Sequence, residues 1–129
     1  MDTSATPTAE PRPSAELPGV SVIMTVLNEE RHLLAAVQAV LDQDYTGPLE
    51  LVVALGPSTD ATDAIAAELV DADERVRTVP NPTGATPAGL NLALKESGHD
   101  IIVRVDGHSV LPVDYVRTAV EVLEETGAD

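Results

Sequence analysis

The sequence predicts an α/β protein built on an open, doubly wound and mainly parallel sheet. Short apolar runs alternate with longer segments of helical periodicity along residues 19–129, in the order βαβαβαβα. The apolar runs are rich in Val, Leu and Ile, which is typical of strands that helices cover on both faces. The chain has no Phe or Trp and only 2 Tyr, so its core has to be aliphatic, as is usual for this class.

The first βαβ unit is predicted from the opening apolar runs. A strand is expected at residues 20–26, which read VSVIMTV, and a helix at residues 29–43 with Asn28 placed to cap it. The second strand, at residues 49–55, is almost entirely apolar and should be buried on both faces. The predicted helix has an apolar face made of Leu33, Val37, Val40 and Leu41.

The second helix follows a clear break in the chain. Gly56-Pro57 ends the second strand, and the pattern predicts a helix at residues 60–70 that is capped by Ser58 or Thr59. Ile65 and Leu69 are its inward residues.

The rest of the chain repeats the alternation. A short third strand is predicted at residues 75–79, and a helix at residues 86–96 with Pro87 in its first turn. A fourth strand is expected at residues 100–105 and a last helix at residues 112–127. The apolar residues of that helix are Tyr115, Val116, Ala119, Val120 and Leu123.

This alternation also predicts where a ligand would bind. Strands separated by helices pair in parallel through right-handed crossovers, and the expected strand order is 3-2-1-4. In that order the winding reverses between strands one and four, and doubly wound sheets bind ligands at the carboxyl ends of the strands that flank the reversal. Those ends lie at residues 25–29 and 106–109.

Composition indicates which residues form the folded domain and which classes of partner are expected. Residues 1–18 are rich in Pro, Ser, Thr and Ala and predict a disordered leader, so the folded domain is expected at residues 19–129. The chain carries 22 acidic and 7 basic residues, for a net charge of −15. This charge argues against nucleic acid or anionic lipid as a partner. A phosphorylated ligand remains possible, because backbone amides and a divalent cation supply local positive charge.

The sequence also bears on location. There is no cysteine, so no disulfide and no redox compartment can be deduced. No apolar run approaches the roughly 20 residues that span a bilayer, and no basic and apolar secretory signal is visible at the N-terminus. A cytoplasmic protein is therefore expected.

The run VRVDGHS at residues 103–109 is the main candidate for a metal site. Asp106 and His108 lie two residues apart after a buried strand, and the turn at Gly107 could direct both side chains to one ion. A carboxylate suits Mg²⁺ or Mn²⁺, and an added imidazole shifts the preference towards Mn²⁺. The alternative is an Asp-Gly turn with a solvent-exposed histidine.

The polar residues that follow the first two strands have a functional and a structural interpretation. Asn28 and Glu29 could contact a ligand, cap the first helix, or do both. Gly56 and the hydroxyls and acid that follow it, including Ser58 and Asp60, could cradle a phosphate or a ribose, although a strand-to-helix turn explains them as well. Asn91 lies inside a predicted helix, where asparagine is mildly unfavourable, so a specific contact is expected of it. Three further residues are interpreted as exposed: Asn81, His32 and His99.

Together these segments resemble the donor-binding half of a family 2 glycosyltransferase with the GT-A fold. VSVIMTVLNEE at residues 20–30 is similar to the family's opening strand and its Asn-Glu turn. STDAT at residues 58–62 resembles the family's Ser-x-Asp-x-Thr segment, and residues 81–91 resemble the helix before the metal motif. Asp106-Gly107-His108 stands where the family carries Asp-x-Asp, and the Asp-x-His form is most similar to the exopolysaccharide (succinoglycan-type) branch.

The resemblance implies transfer of a sugar from a nucleotide-sugar donor to a glycan or lipid-linked acceptor, with inversion at the anomeric carbon. It implies that Thr25, Asn28 and Glu29 line the nucleotide pocket, together with Ser58, Asp60, Asn91 and Asp106. Asp106 and His108 would hold Mg²⁺ or Mn²⁺ on the diphosphate.

The sequence departs from the family pattern at three places and in length. Leu27 stands where an aromatic residue often precedes the Asn, Leu55-Gly56 where an Asp usually ends strand two, and His108 where the second acid stands. The family's general base is expected beyond Asp129, and any membrane association would come from parts beyond that residue. The alternatives are a non-catalytic nucleotide-sugar-binding module or truncated pseudo-enzyme and, with a poor fit at Asn28-Glu29, a receiver-like signalling domain.

Overall fold

The computed structural model describes residues 17–126 as four strands and four helices that alternate along the chain. In chain order these are β1 (Val20–Val26), α1 (Leu33–Leu41), β2 (Leu49–Leu55), α2 (Thr62–Ala72), β3 (Val76–Pro80), α3 (Thr86–Glu96), β4 (Ile101–Asp106) and α4 (Tyr115–Thr126).

The four strands form one parallel sheet in the order β3-β2-β1-β4. This confirms the predicted order 3-2-1-4 and the reversal of winding between β1 and β4. In the register of that central pair, Val20 faces Ile101 and Thr25 faces Asp106. The carboxyl ends of β1 and β4 therefore finish at the same level of the sheet.

The sheet lies between two layers of helices. One face packs β1 residues such as Val22 and Met24 against α1, α2 and α4 in the larger core cluster. The other face packs Ile23 and Val52 against α3, with Ala93 at the centre of a smaller cluster. The central residues of β2 are buried on both faces, as their uninterrupted apolar sequence predicts.

Both helices that follow β1 and β2 begin later than predicted. Helix α1 starts at Leu33 instead of residue 29, and α2 starts at Thr62 instead of residue 60. The interpretation of Asn28 as a helix cap is wrong, as is the capping of α2 by Ser58 or Thr59. Asn28 and Ser58 bond to the other loop instead of to their own helices, whereas Asp60 accepts from Thr62 at the start of α2.

The strands β3 and β4 each lie one residue further along the chain than predicted. β3 begins at Val76, because the Arg75 N–H donates to the Asp73 carboxylate in the preceding turn. β4 extends to Asp106, because its ladder with β1 continues to Thr25.

Helix α4 also begins later, at Tyr115 instead of residue 112. The residues before it form a turn in which Tyr115 N donates to Pro112 O, and the buried Gln43 accepts from Val116 N. The predicted end of α4 at Gly127 and most of the predicted leader at residues 1–18 lie outside the described residues.

His99 is half-buried, which corrects its interpretation as a surface residue, and its backbone N–H donates to Ser21 Oγ. His32 is exposed, as predicted.

No helix between residues 17 and 126 combines the length and the apolar character needed to cross a membrane.

Candidate functional site

A cleft of about 240 Å³ opens at the carboxyl ends of β1 and β4, where the topology predicts a ligand site. The loop between β3 and α3 closes one side of it. Its lining residues come from all three segments: Thr25, Val26, Leu27, Glu29, Asn81, Gly84, Thr86, Arg104, Asp106, Gly107 and His108.

The turn after β1 is held by the loop after β2. Asn28 adopts a left-handed backbone conformation (φ 53°), which asparagine tolerates better than most residues. Its side-chain Oδ1 accepts a hydrogen bond from Thr59 N at 2.8 Å, and its own N–H donates to Ser58 Oγ at 2.9 Å. These bonds direct the Asn28 side chain towards the neighbouring loop instead of towards the cleft.

Glu29 is fixed at its backbone by the start of α2. Its N–H donates to Thr62 Oγ1 at 2.8 Å, and Thr62 is fully buried. The Thr62 hydroxyl in turn donates to Asp60 Oδ1 at 2.5 Å. This hydrogen bond from Thr62 is the main cause that lowers the pKa of the Asp60 carboxyl below its ordinary value, so Asp60 remains a charged acceptor. The Glu29 side chain is 21% exposed and reaches the cleft.

Asp106 and His108 reach the cleft from the other strand. The turn between them passes close to β1, because a Cβ added to Gly107 would lie 2.5 Å from Val26 Cγ1. Glycine is therefore needed at this position for the chain to cross towards β1. Beyond it, His108 Nδ1 lies 3.3 Å from Glu29 Oε2, a contact that joins the two strand ends.

The residues present fit a divalent cation shared with a ligand, and not a cation held by the protein alone. Within residues 17–126, no three His, Asp or Glu side chains are arranged to hold a metal ion together. Asp106 and His108 offer two donor groups at one cleft. Mg²⁺ typically binds one or two carboxylates and takes its other oxygens from water and substrate phosphates, and an imidazole suits Mn²⁺ as well.

Asn81 is a cleft residue that the sequence interpretation missed. It is only 2% exposed, so its assignment to an exposed loop is wrong. Asn81 Nδ2 donates to Ala85 O, whereas its buried Oδ1 has no hydrogen-bond partner among the described residues. Helix α3 approaches closely here, since a Cβ on Gly89 would lie 2.6 Å from Asn81 Nδ2. The signal that could have found Asn81 is its place directly after β3, at the same sheet edge as the other site residues.

Arg104 is a second missed residue. It is exposed on β4 and lines the cleft, where it adds a positive charge beside Glu29 and Asp106. Alternation along a strand places Arg104 on the same face as Asp106, two residues further on.

The structure brings four of the predicted site residues to the cleft: Thr25, Glu29, Asp106 and His108. Ser58 and Asp60 do not line it; their side chains accept hydrogen bonds from the backbone of the turn after β1. Asn91 is exposed on α3, away from the residues that line the cleft. A ligand role for Asn28, Ser58, Asp60 and Asn91 therefore stays a prediction.

Comparison with known sequences relates the chain to sugar-transferring proteins. The sequence profile described as "Glycosyl transferase family 2" matches residues 21–129. The succinoglycan biosynthesis protein ExoA of Rhizobium meliloti is 35% identical over 110 residues, which cover 84% of this chain and 33% of that protein.

Comparison with solved structures gives related folds. The mannosyltransferase PcManGT from Pyrobaculum calidifontis, in complex with GDP-Man and Mn²⁺, aligns with a TM-score of 0.73 and 26% identity over 92% of this chain and 36% of its own. TarS 1-349 of S. aureus, in complex with UDP, aligns with a TM-score of 0.71 over 82% of this chain and 32% of its own. The identity to TarS is 22%, so that likeness shows the fold alone. The chain spans about one third of the length of these relatives.

Proposed function

The chain belongs to glycosyl transferase family 2, and from this premise we propose that its cleft binds the nucleoside diphosphate of a nucleotide-sugar donor together with Mg²⁺ or Mn²⁺. The observation that carries the proposal is the convergence of Glu29, Asp106 and His108 on one cleft at the reversal of the sheet. The structural relative PcManGT was solved with GDP-Man and Mn²⁺, which supports the same ligand class.

Four cleft residues have a specific role in this proposal. Asp106 and His108 would hold the cation, which when bound neutralises the negative charge that develops on a leaving nucleoside diphosphate. Arg104 adds positive charge for the diphosphate at the same edge. The unpaired Asn81 Oδ1 would accept a hydrogen bond from an N–H or O–H of the nucleoside.

The complete reaction that we propose is transfer of the sugar, with inversion, to a glycan or lipid-linked acceptor in the cytoplasm. The relative ExoA is a succinoglycan biosynthesis protein, which supports a role in the synthesis of exopolysaccharide or another cell-surface glycan. Because the chain spans about one third of that relative, the acceptor and the activity of the whole protein are part of the proposal.

Calorimetric titration of the 129-residue chain with UDP, GDP and dTDP, with and without Mn²⁺, tests the donor site. We expect binding that requires Mn²⁺ and prefers one of the three bases. The corresponding nucleoside monophosphates are the matched ligand controls and should bind much more weakly, since they lack the second phosphate. A protein that is folded by circular dichroism and binds none of the diphosphates would contradict the proposal.

The alternative of a non-catalytic binding module has its own readout. Metal-dependent binding of a nucleotide sugar, without any release of nucleoside diphosphate over time, would favour that alternative for this chain. Release of the diphosphate would favour a catalytic domain.

A further inference from the structure

The side chains of Glu29 and His108 are in contact across the cleft, and Glu29 is the more firmly held of the two. Glu29 Oε2 lies 3.3 Å from His108 Nδ1. The carboxylate side chain is 21% exposed and the imidazole 60% exposed, so Glu29 is the more enclosed partner. Its backbone is held by the buried Thr62 hydroxyl, which Asp60 orients in turn. Glu29 is therefore bound to the start of α2 through its backbone and lies against the ring of His108 through its side chain.

This contact selects one form of the imidazole. A neutral imidazole carries its proton on Nδ1 or on Nε2, and the nitrogen without the proton offers a lone pair. An ionised carboxylate only accepts hydrogen bonds, so a carboxylate at Nδ1 favours the form protonated on Nδ1. The lone pair is then on Nε2, at the other side of the ring. Histidines that bind metal ions generally donate their second ring N–H to a carboxylate or carbonyl in this way.

We propose that Glu29 is a positioning residue for His108, which holds the imidazole as the Nδ1–H tautomer and leaves Nε2 free to bind the divalent cation of the donor site. The statement about the cation rests on the proposed function, whereas the statement about the tautomer does not. A carboxylate at position 108 would need no such partner, because both of its oxygens can bind a cation. The role of Glu29 is therefore tied to the Asp-x-His form of the motif found here.

The tautomer can be measured without metal or ligand. We would record long-range ¹H–¹⁵N correlations of the ¹⁵N-labelled 129-residue chain, about two pH units above the ordinary imidazole pKa of ~6.5. His108→Gln identifies the ring signals of His108 among the three histidines. We expect a protonated Nδ1 and an unprotonated Nε2 in the wild-type chain. The Nε2–H form at His108 would overturn the proposal, and this result needs no Glu29 variant to fold.

Variants of Glu29 then test whether this residue sets the tautomer of His108. In Glu29→Ala the His108 ring should return to the Nε2–H form that free neutral histidine prefers. The matched control is Glu74→Ala, which removes the same charge from an exposed position in the turn before β3, at the opposite edge of the sheet. An unchanged Nδ1–H form in Glu29→Ala would show that Glu29 does not set the tautomer.

Cation binding is the second readout. We would titrate Mn²⁺ in the presence of GDP, and separately of UDP, and follow free Mn²⁺ by its electron paramagnetic resonance signal. Glu29→Ala should bind Mn²⁺ about 10–100-fold more weakly, the usual cost of losing such a partner. Glu29→Gln, which keeps an oxygen acceptor without the charge, should recover most of that affinity. An equal loss in both variants would assign the effect to charge alone and overturn the hydrogen-bonding role.

The two proposals fail in different ways. A wild-type chain with the Nδ1–H tautomer but no Mn²⁺-dependent nucleotide binding would overturn the proposed function and the statement about the cation. A wild-type chain that binds Mn²⁺ and nucleotide, with Glu29→Ala binding them equally well, would overturn only the role of Glu29.

Discussion

The two acidic residues of the cleft, Glu29 and Asp106, differ in how their carboxylates are hydrogen-bonded. Glu29 has its backbone bound to Thr62 and its carboxylate against His108. Asp106 ends β4 as an exposed residue, and its carboxylate makes no hydrogen bond or ion pair within residues 17–126. A carboxylate with free lone pairs at a cleft is suited to bind a cation, whereas one that is already bonded is suited to orient a neighbour.

Replacing Asp106 should therefore affect binding and not folding. In Asp106→Ala we expect Mn²⁺-dependent nucleotide binding to fall by at least about 100-fold, because an exposed ligand is lost without loss of core contacts. Calorimetry measures the affinity, and urea unfolding should show a change in stability within about 0.5 kcal/mol, as is usual for surface positions. The matched control is Asp100→Ala, just before the amino end of β4, which should bind as the wild type does. Retained Mn²⁺-dependent affinity in Asp106→Ala would remove the metal assignment.

Asn81 and Asn91, near the start of and inside α3, show which site residues can be predicted from the sequence alone. The low helix propensity of asparagine points to Asn91, and the structure places this residue on the exposed side of α3. Loop polarity alone explains Asn81 in the sequence, yet this residue is buried at the cleft. Helix propensity reports only on the local backbone. The burial of Asn81 depends on the close approach of α3 at Gly89, which is a tertiary contact.

A pair of variants tests which of the two asparagines contributes to nucleotide binding. Asn81→Ala should weaken nucleotide binding by roughly 5–10-fold, since one hydrogen bond to the ligand is worth about 1 kcal/mol. Asn91→Ala should change the affinity by less than about two-fold, within the scatter of surface substitutions. Calorimetric titration under one set of Mn²⁺ conditions compares the two. A larger loss in Asn91→Ala would support the sequence-based selection and contradict the placement of the ligand beside Asn81.

Between elements, the sheet is tied together at the edge opposite the cleft by Glu50. This β2 residue accepts from Ser21 Oγ of β1 at 2.5 Å, from Arg77 of β3 at 2.8 Å, and from Gly98 N after α3 at 2.5 Å. Partial burial by itself raises the pKa of the Glu50 carboxyl. The hydrogen bonds from Gly98, Ser21 and Arg77 outweigh it, so the pKa lies below its ordinary value of 4.5. Glu50 therefore anchors the end of α3, whose start borders the cleft.

This shift gives the stability of the fold a defined dependence on pH. A carboxyl whose pKa is lowered by folding stabilises the native state above the ordinary value, and this contribution is lost as pH falls through the lowered value. Glu50→Gln should cost about 1–3 kcal/mol near neutral pH, because its donors lose a charged acceptor. The difference from wild type should shrink as pH falls below 4.5. Urea unfolding between about pH 7 and pH 3 measures it.

Glu96→Gln is the control for this prediction. Glu96 pairs with the same Arg77 at 3.7 Å but is 54% exposed, and exposed ion pairs contribute little. Its stability should stay within about 0.5 kcal/mol of wild type at every pH. A Glu50→Gln deficit that stayed constant down to pH 3 would contradict the linkage of the Glu50 charge to folding.

Element identity and order followed from the sequence, as did the bounds of α3, whereas the starts of α1, α2 and α4 did not. The alternating patterns depend on burial, and the sheet order depends on the winding of parallel βαβ units. Both can therefore be predicted from the sequence. The starts of α1 and α2 are set by bonds between residues 28–30 and 58–62, which are distant in sequence. Propensity places Asn28 and Ser58 in caps of their own helices. In the fold each finds a partner in the other loop.

For the whole molecule, the dominant long-range term is the net charge of −15. Such a charge opposes compactness through self-repulsion and repels an anionic ligand, so the donor site depends on local positive charge from Arg104 and a cation. The fold class and the position of the cleft are insensitive to this charge, because both follow from apolar packing and strand order. Stability is the property that should respond to it.

Salt should therefore stabilise this protein. Raising NaCl from about 0.01 M to about 0.1 M shortens the screening length from ~30 Å to ~10 Å, which weakens repulsion between distant acids more than contacts within ion pairs. We expect Tm to rise by about 3–6 °C, or roughly 1 kcal/mol for a domain of this size. A variant with Glu68→Gln, Asp71→Asn and Glu74→Gln, three exposed acids away from the cleft, should begin with a higher Tm and gain less from salt. If salt lowered Tm, or raised it equally in both proteins, local pairs such as Arg117–Asp44 or ion-specific effects would govern the response instead of net repulsion.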